Sequence, residues 1–305
     1  MTGAVDTDGP VVVKIGGARA VDPAGALSDV ASLVDAGTDV VVTHGGSTAV
    51  DETLEQLGNE PEYVETPDGI VGRFTDSETM DVFEMVLPGL LNTELVASLQ
   101  SEGVDAVGLS GVDGGLLAGP RTPAVRVLED GKKKIRRGDH SGSLESVNAD
   151  LLRSLLEDGY TPVVCPPMAG YEQDESGETV VTPVNTDADG TAAAIAGELA
   201  ATAVFLTDVS GIFADPDDEE TLIETVETPG EWAALETAAE GFMGRKVMAI
   251  EDALSAGAPA AIVADANVDQ PVSSALSGAG THIYPSALGE TGTDIATEAV
   301  EADTQ

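Results

Sequence analysis

The 305-residue sequence contains very little cysteine and few aromatic side chains. A single cysteine, Cys165, excludes an intramolecular disulfide and any metal site built from several cysteines. Apolar runs fall short of the roughly 20 residues that a membrane-spanning helix needs. The acidic amino-terminal stretch also lacks the pattern of a signal or transit peptide. We therefore expect a protein of the reducing cytoplasm with no membrane partner.

Positive charge is scarce as well, since 13 basic residues face 55 acidic ones and the formal net charge is −42. This excess disfavours nucleic acid and anionic membranes as partners. Hydrophobic residues make up 42% of the chain, which is enough to build a core and excludes a disordered acidic polymer. We interpret the acidity as halophilic adaptation to molar salt, where the Debye length falls to about 3 Å.

The few basic residues are unevenly placed, and five of the 13 fall within six positions: Lys132, Lys133, Lys134, Arg136 and Arg137. The surrounding sequence predicts a β-hairpin whose turn is Asp130-Gly131, so the cluster runs along the second strand. Three interpretations remain open at this point. The cluster is a solvated strand, a local partner for the acidic surface, or a docking surface for an acidic protein.

Short apolar runs alternate with helical patterns, which predicts an α/β fold with a mainly parallel central sheet. Strands that are apolar throughout indicate helices on both faces, and hence a three-layer sandwich. The predicted strands are 11–15, 39–43, 106–109, 162–165, 203–207, 260–264 and 282–284. The predicted helices are 24–36, 49–57, 77–100 with a kink at Pro88, 148–157, 188–200, 244–256 and 272–276. Segment 170–181 is predicted to form a second hairpin or a surface loop.

Two of the predicted strands run into paired glycines, at Gly16-Gly17 after Lys14 and at Gly45-Gly46 after His44. Such turns before a helix can present bare backbone N–H groups to an anion, although each is also explained as a tight strand-to-helix turn. Neither turn has the dinucleotide or the Walker pattern. We interpret His44 as structural, and by residue pattern alone Asp187 is explained by helix capping and Asp189 by its favourable position in the helix dipole.

Six segments in order carry a family resemblance: VKIGG, VTHGGS, GRFTD, VNTDAD, LTDVSGI and GFMGRKV. Together they resemble the amino-acid kinase superfamily, in its N-acetylglutamate kinase branch, over residues 11 to about 285. The segments GLSGVDGG and KKKIRRGDHSGSLESVN are similar to those kinases of the branch that act on glutamate or 2-aminoadipate attached to the acidic carrier protein LysW. The resemblance implies transfer of the γ-phosphoryl group of MgATP to a side-chain carboxylate, with Mg²⁺ bound to ATP and no metal site of the protein's own.

The resemblance also implies a role for each matching residue. The catalytic residues would be Lys14, Lys246 and Asp189; substrate binding would involve Gly45, Gly46, Arg73 and Asn185; ATP would be bound by Gly16, Gly17, Asp208, Val209 and Gly211. The basic hairpin residues named above would dock the carrier.

Further expectations concern organisation. Residues 1–182 are expected to bind substrate and carrier and to form a homodimer through helix 77–100, residues 183–286 to bind ATP, and residues 287–305 to be a disordered tail. The alternatives are an N-acetylglutamate kinase that acts on the free small molecule and a non-catalytic amino-acid or nucleotide sensor.

Overall fold

The structure, a computed structural model, describes residues 9–16, 23–67, 69, 71–129, 131–174, 176–239 and 242–289. Gly17 and residues 290–305 of the predicted tail therefore lie outside the described residues. The strands are β1 Val11–Ile15, β2 Val40–His44, β3 Tyr63–Glu65, β4 Val71–Arg73, β5 Ala106–Gly111, β6 Leu117–Glu129, β7 Lys132–Gly142, β8 Ser146–Val147, β9 Thr161–Gln173, β10 Thr179–Val184, β11 Thr202–Thr207, β12 Thr225–Val226, β13 Ala261–Asp265 and β14 Thr281–Ile283. The helices are α1 Pro23–Asp35, α2 Ser47–Gln56, α3 Ser77–Glu84, α4 Asn92–Ser101, α5 Ala149–Glu157, α6 Ala188–Leu199, α7 Pro229–Ala238, α8 Phe242–Ser255 and α9 Pro271–Leu276.

Within the described chain, twelve strands form one sheet in the order β12-β14-β13-β11-β1-β2-β9-β6-β7, with β5 and β10 paired to β9 and β8 paired to β6. Strands β1, β2, β11 and β13 are parallel neighbours, as predicted. Because parallel strands end at the same edge, their carboxyl ends meet along one side of the sheet. The sheet is continuous across residue 182, and the predicted division into two functional parts stays a prediction.

Alternate residues of the parallel strands face two separate apolar layers. In β1, Val11, Val13 and Ile15 pack in one core with helices α1 and α9. Val12, by contrast, belongs to the core that contains α6 and α8. This confirms the three-layer sandwich. Because side chains in a strand alternate with period two, Lys14 lies on the same face as Val12, toward α6 and α8.

The predicted helix 77–100 is a continuous helical segment that changes geometry around its proline. Helices α3 and α4 are joined by a π-helical stretch, Met85–Leu91, with Pro88 inside it. Segment Ser77–Ser101 is 25 residues long, and an 18-residue stretch of it has a mean hydropathy of 1.3, which would suffice for a membrane span by length and composition alone. The expectation that no apolar stretch reaches this length was therefore wrong. One face of the segment packs against α2. Helices in the core of a soluble protein can reach the same length and hydropathy.

Both predicted hairpins are present. Strands β6 and β7 are antiparallel, and Gly131 supplies a positive φ of 71° at their turn, while Asp130 lies outside the described residues. Strands β9 and β10 form the second hairpin over the segment predicted as hairpin or loop. At the carboxyl end, Pro285–Leu288 forms a 3₁₀ turn and Ala287 is fully buried, so the described fold extends past residue 286.

Candidate active site

The carboxyl ends of β1, β2 and β11 bring three chain segments to one edge of the sheet. Gly16 follows β1, Gly45 and Gly46 follow β2, and Asp208 follows β11. The amino termini of α2 and α6 begin at the same edge, at Ser47 and Ala188. Helix amino termini and unhindered backbone N–H groups favour anions. The edge is therefore suited to a phosphorylated or carboxylated ligand.

The centre of this edge is a cluster of two lysines around one carboxylate. Lys14 Nζ lies 2.7 Å from Asp189 Oδ1, and Lys246 Nζ lies 3.0 Å from Asp189 Oδ2. The lysines come from β1 and α8, and Asp189 comes from the first turn of α6. Lys14 and Lys246 are only 8% and 7% exposed. Three residues that are far apart in sequence thus form one buried group with a net positive charge.

Burial and mutual contact set the charge states in this cluster. Burial alone would raise the pKa of Asp189, but the charges and hydrogen bonds of Lys14 and Lys246 outweigh it and lower that pKa. The pKa of Lys246 is lowered, chiefly by burial and also by the charge of Lys14, while Asp189 opposes the shift. Lys246 Nζ also lies 5.3 Å from the centre of the Phe205 ring, an additional cation–π contact. Asp189 therefore helps to keep Lys246 protonated inside the protein.

Local sequence explains why Asp189 occupies this position. Asp187 caps α6, because its side chain accepts a hydrogen bond from the Gly190 backbone N–H at 2.7 Å. Helix α6 therefore starts at Ala188, and Asp189 falls in the first turn, pointing toward the edge of the sheet. The capping explanation thus applies to Asp187, whereas Asp189 bonds both lysines.

The paired glycines after β2 lie against helix residues that leave no room for a side chain. A Cβ atom on Gly46 would lie 2.4 Å from Leu91 Cδ1 and 2.6 Å from Leu87 Cδ2. A Cβ atom on Gly45 would lie 3.2 Å from Ala188 Cβ at the start of α6. A side chain at Gly46 would therefore force Leu87 and Leu91 to move, and the space at Gly45 is also tight.

His44 contributes to packing at the same turn. Its Nδ1 lies 2.8 Å from the Gly45 carbonyl oxygen, and its Nε2 lies 3.2 Å from Asn92 Nδ2. Burial lowers the pKa of His44 to about 4, and the nearby charge of Lys14 contributes in the same direction. His44 is therefore a neutral, buried residue at neutral pH, in agreement with its interpretation as structural.

Arg73 is held beside this turn by Ser47, Asp51 and Tyr63, of which only Ser47 belongs to a motif recognised in the sequence. It donates to Ser47 Oγ at 2.7 Å and to Tyr63 Oη at 2.9 Å, and it forms an ion pair with Asp51. Its guanidinium also lies 5.4 Å from the centre of the Phe83 ring. Ser47 was visible in the HGGS segment, but Asp51 and Tyr63 had no recognisable motif.

Asn185 approaches the same region from the other side. Its side-chain nitrogen donates to Thr75 Oγ1 at 3.3 Å, and its backbone N–H donates to the His140 carbonyl at 2.7 Å. The buried Asp139 accepts a hydrogen bond from the Thr75 backbone N–H at 2.9 Å. Thr75 and Arg73 are two residues apart in the chain, so the segment after β4 links the two predicted substrate-binding residues.

A cavity of about 370 Å³ lies beyond the carboxyl ends of β11 and β13. Asp208, Val209 and Gly211 all line it, together with Phe213, Met243 and Asp265. Its volume falls within the range of small-molecule sites. Gly211 has a φ of +154°, and a Cβ atom there would lie 2.7 Å from Thr281 Oγ1. Three of the five residues predicted to bind ATP thus share one cavity, and Met243, which also lines it, lies on the helix that carries Lys246.

The basic hairpin has two chemically different faces, because side chains alternate along β7. On one face, Lys134 forms an ion pair with Glu129 at 2.7 Å, and Arg136 pairs with Glu62 and lies 4.1 Å above the Phe74 ring. Lys132 lies on this face too, opposite Glu129.

The opposite face is a cationic face, which we define by Arg126, Lys133, Ile135 and Arg137. All four are exposed, and Ile135 is 67% exposed at its centre. In the described part of the chain, no ion pair is found for its three basic residues. The basic cluster predicted from the sequence is thus divided between two faces of the hairpin. Arg126 on β6 belongs to the cationic face and was missed by the sequence interpretation.

No group of three or more His, Cys, Asp or Glu side chains arranged to hold a metal ion is found among the described residues. The charged centre of the site is cationic, and it fits an anion directly. A Mg²⁺ ion at this edge would thus be held mainly by the phosphate groups of a nucleotide, which is the usual way that Mg²⁺ binds in kinases.

Glycine turns at parallel strand ends, two buried lysines and an adjoining cavity together define a phosphoryl-transfer enzyme of the α/β class. Residues 9–265 match the model of the amino acid kinase family. The chain belongs to the amino acid kinase family, as its resemblance implied.

Curated relatives match nearly the whole chain. A LysW-aminoadipate kinase of Thermus thermophilus is 42% identical over 277 residues, which cover 89% of this chain and 98% of that protein. An acetylglutamate kinase of Methanopyrus kandleri is also 42% identical, over 83% of this chain and 93% of its own length. The solved carbamate kinase of Giardia superposes with a TM-score of 0.63 over 92% of this chain and 99% of that chain, and its 15% identity supports the fold alone.

Proposed function

We propose that this protein uses ATP to phosphorylate the side-chain carboxylate of glutamate or 2-aminoadipate carried by LysW, in arginine or lysine biosynthesis. The observation that carries the chemistry is the buried Lys14–Asp189–Lys246 cluster. The observation that favours a carrier protein is the unpaired cationic face of the hairpin. Relatives named as a LysW-aminoadipate kinase and as an acetylglutamate kinase are both 42% identical, so the cationic face is what supports the choice of a carrier-bound substrate here.

The reaction needs cations more than it needs a base. A glutamate side chain with a pKa near 4.3 is already an anion at neutral pH, so no proton has to be removed before it attacks phosphorus. Lys14 and Lys246 stabilise the charge of the transferring phosphoryl group from two sides. Asp189 orients both lysines and helps to keep Lys246 protonated. Positioned charges of this kind each contribute about 10²–10³ in rate.

The acceptor and the nucleotide approach the lysines from opposite directions. Gly45 and Gly46 offer backbone N–H groups to the acceptor, and Arg73 and Asn185 bind its carboxylate and amide ends. Gly16 approaches phosphate, and Gly17 is assigned the same role by resemblance. Asp208, Val209 and Gly211 hold the adenosine of ATP in the cavity, and Mg²⁺ enters with the phosphates.

Replacing Lys14 by methionine tests whether the cluster is catalytic, because methionine keeps the length of the side chain and removes its charge. Acyl phosphate trapped as hydroxamate should fall by about 10²–10³. Lys132→Met is the matched control, since Lys132 is exposed on the hairpin, and it should retain turnover with the carrier-free amino acid. A wild type that binds ATP and yields no acyl phosphate at molar salt would favour the sensor alternative.

Carrier docking is tested by comparing the two faces of the hairpin. The double substitution Lys133→Ala/Arg137→Ala removes two charges from the cationic face, and Lys134→Ala removes a charge that Glu129 already pairs. At molar salt only close contacts survive screening, so the double variant should raise the KM for carrier-bound substrate about tenfold, with the KM for ATP unchanged. Equal effects on carrier-bound and free substrate, or an equal effect of Lys134→Ala, would contradict the docking role.

We further propose that two chains associate through the helical segment Ser77–Ser101. Met85 and Leu90 are 55% and 49% exposed on it, in a protein whose surface is otherwise strongly acidic. Burial of these side chains against a second copy would remove apolar surface from water. Light scattering at molar salt should give the mass of a dimer, and a stable monomer would contradict this assignment.

A further inference from the structure

Arg245 joins the helix that carries Lys246 to the hairpin that carries Arg73. Its guanidinium donates a hydrogen bond to the backbone carbonyl oxygen of Val71. Arg245 immediately precedes Lys246 in the first turns of α8, and Val71 begins β4, which ends at Arg73. One contact between residues 174 positions apart thus links the nucleotide side of the site to its acceptor side.

The two ends of this contact are fixed from opposite directions. On the acceptor side, Arg73 anchors β4 to α2 through Ser47 and Asp51. On the nucleotide side, Lys246 anchors α8 to Asp189 on α6. Successive residues of a helix project about 100° apart, so Arg245 points to β4 while Lys246 points to Asp189. Arg245 therefore connects β4 to α8, a contact that neither of these anchors makes.

The small β3–β4 hairpin needs such support because of its own structure. Its strands have three residues each, and they form a two-stranded sheet separate from the main one. Two-stranded hairpins are marginally stable by themselves. Tyr63 and Val71 are 49% and 53% exposed, so apolar packing contributes little to its position. Side-chain contacts therefore hold it in place: Arg73 anchors β4 and Arg245 contacts it, while Tyr63 donates to Asp51 and Arg136 pairs with Glu62 beside β3.

We propose that Arg245 is a positioning residue for phosphoryl transfer. It contacts no reacting atom; it holds the acceptor-binding hairpin and the turn that carries Lys246 at a fixed separation. Transfer between two bound ligands depends steeply on their separation, so loss of this contact impairs acceptor use more than nucleotide binding. The kinetic part of this inference rests on the proposed function, and the structural part does not.

The structural part is tested by hydrogen exchange on the ligand-free protein. Arg245→Ala should speed amide exchange in the peptide that covers residues 63–73 by roughly fivefold or more, because local opening of the hairpin becomes easier. Arg153→Ala is the matched control. Arg153 also donates to a backbone carbonyl, that of Glu198, at 2.5 Å, but it lies on α5 away from the site. Its removal should leave residues 63–73 unchanged.

The kinetic part is tested on the same variants. Arg245→Ala should lower kcat/KM for the acceptor about tenfold, the effect of one partly exposed charge-assisted hydrogen bond, with the KM for ATP within about twofold. Arg245→Lys should recover part of the lost kcat/KM. An ammonium group can reach the same carbonyl oxygen, but it lacks the rigid, planar array of N–H donors of a guanidinium. Thermal unfolding of each variant shows whether it is folded.

Three results would each contradict one claim: the structural role of Arg245, its kinetic role, or the proposed function. Unchanged amide exchange of residues 63–73 in Arg245→Ala would show that the Arg245–Val71 contact does not stabilise the hairpin, whatever the substrate of the enzyme. Faster exchange with unchanged acceptor kinetics refutes the positioning role. A wild type without turnover on any acceptor refutes the proposed function instead, and the exchange measurement then decides the structural inference alone.

Discussion

Replacing Asp189 by asparagine would remove the carboxylate that Lys14 and Lys246 share, while keeping the size and shape of the side chain. Both lysines are more than nine-tenths buried, and each lies within 3.0 Å of an Asp189 oxygen. Breaking such a buried ion pair typically costs about 3–5 kcal/mol, because the remaining charge is left uncompensated. The protein can avoid part of this cost by releasing a proton from one lysine.

The lysine expected to release the proton is Lys246. Burial and the charge of Lys14 already lower its pKa, and Asp189 is the largest influence that raises it. In Asp189→Asn that opposing influence is lost, so the pKa of Lys246 falls further. A lysine stabilises phosphate only when protonated, and it loses its proton as the pH rises through its pKa in the folded protein. The alkaline limb of the pH–rate profile should therefore move to lower pH.

The assay is acyl-phosphate formation, trapped with hydroxylamine, across a pH series. At neutral pH we expect Asp189→Asn to lose about 10²–10³ in kcat. Asp187→Asn is the control, because asparagine caps a helix about as well as aspartate and the charge of Asp187 influences the pKa of Lys246 less than that of Asp189 does, so its alkaline limb should move less. If Asp189→Asn retained wild-type kcat and the same alkaline limb, the charge-sharing role of Asp189 would be refuted.

Two further predictions concern packing around the site. Gly46→Ala would place a Cβ atom 2.4 Å from Leu91, so it should lower the free energy of unfolding by about 1–3 kcal/mol in denaturant unfolding. Gly25→Ala is the control, because the space around Gly25 is open and its unfolding midpoint should not fall. Equal midpoints for the two variants would contradict the packing argument. Cys165 is fully buried, and burial raises its pKa to about 12, so a thiol reagent at pH 8 should modify it only after unfolding. Rapid labelling of the folded protein would contradict this expectation.

Much of the fold could be predicted because it follows from patterns of neighbouring residues. Apolar runs such as β1 and β11 identify the strands, and continuous apolarity on both faces identifies the three layers. Helix α7 was missed although Thr228, Pro229 and Glu231 form a capping box with a proline at the first helical position. That signal was present in the sequence. The hairpin β3–β4 had no comparable signal, because its strands are short and exposed.

The site was less accessible to sequence reasoning, since its contacts join segments that are far apart. Residue patterns alone explained Asp189 by the helix dipole, and only the family resemblance associated it with Lys14 and Lys246. No local pattern pairs Arg73 with Asp51, or Arg245 with Val71, because these contacts depend on how the sheet arranges its loops. The division of the basic hairpin into two faces is different, since the period of two residues could have predicted it.

The central claim is that this enzyme phosphorylates an amino acid presented by a carrier protein. The most direct test is kcat/KM for acyl-phosphate formation at molar salt on LysW-bound 2-aminoadipate, LysW-bound glutamate and free N-acetylglutamate, measured side by side. We predict that at least one carrier-bound substrate exceeds free N-acetylglutamate by more than about tenfold, the factor expected from docking contacts on the cationic face. Equal or faster turnover of free N-acetylglutamate would contradict the claim.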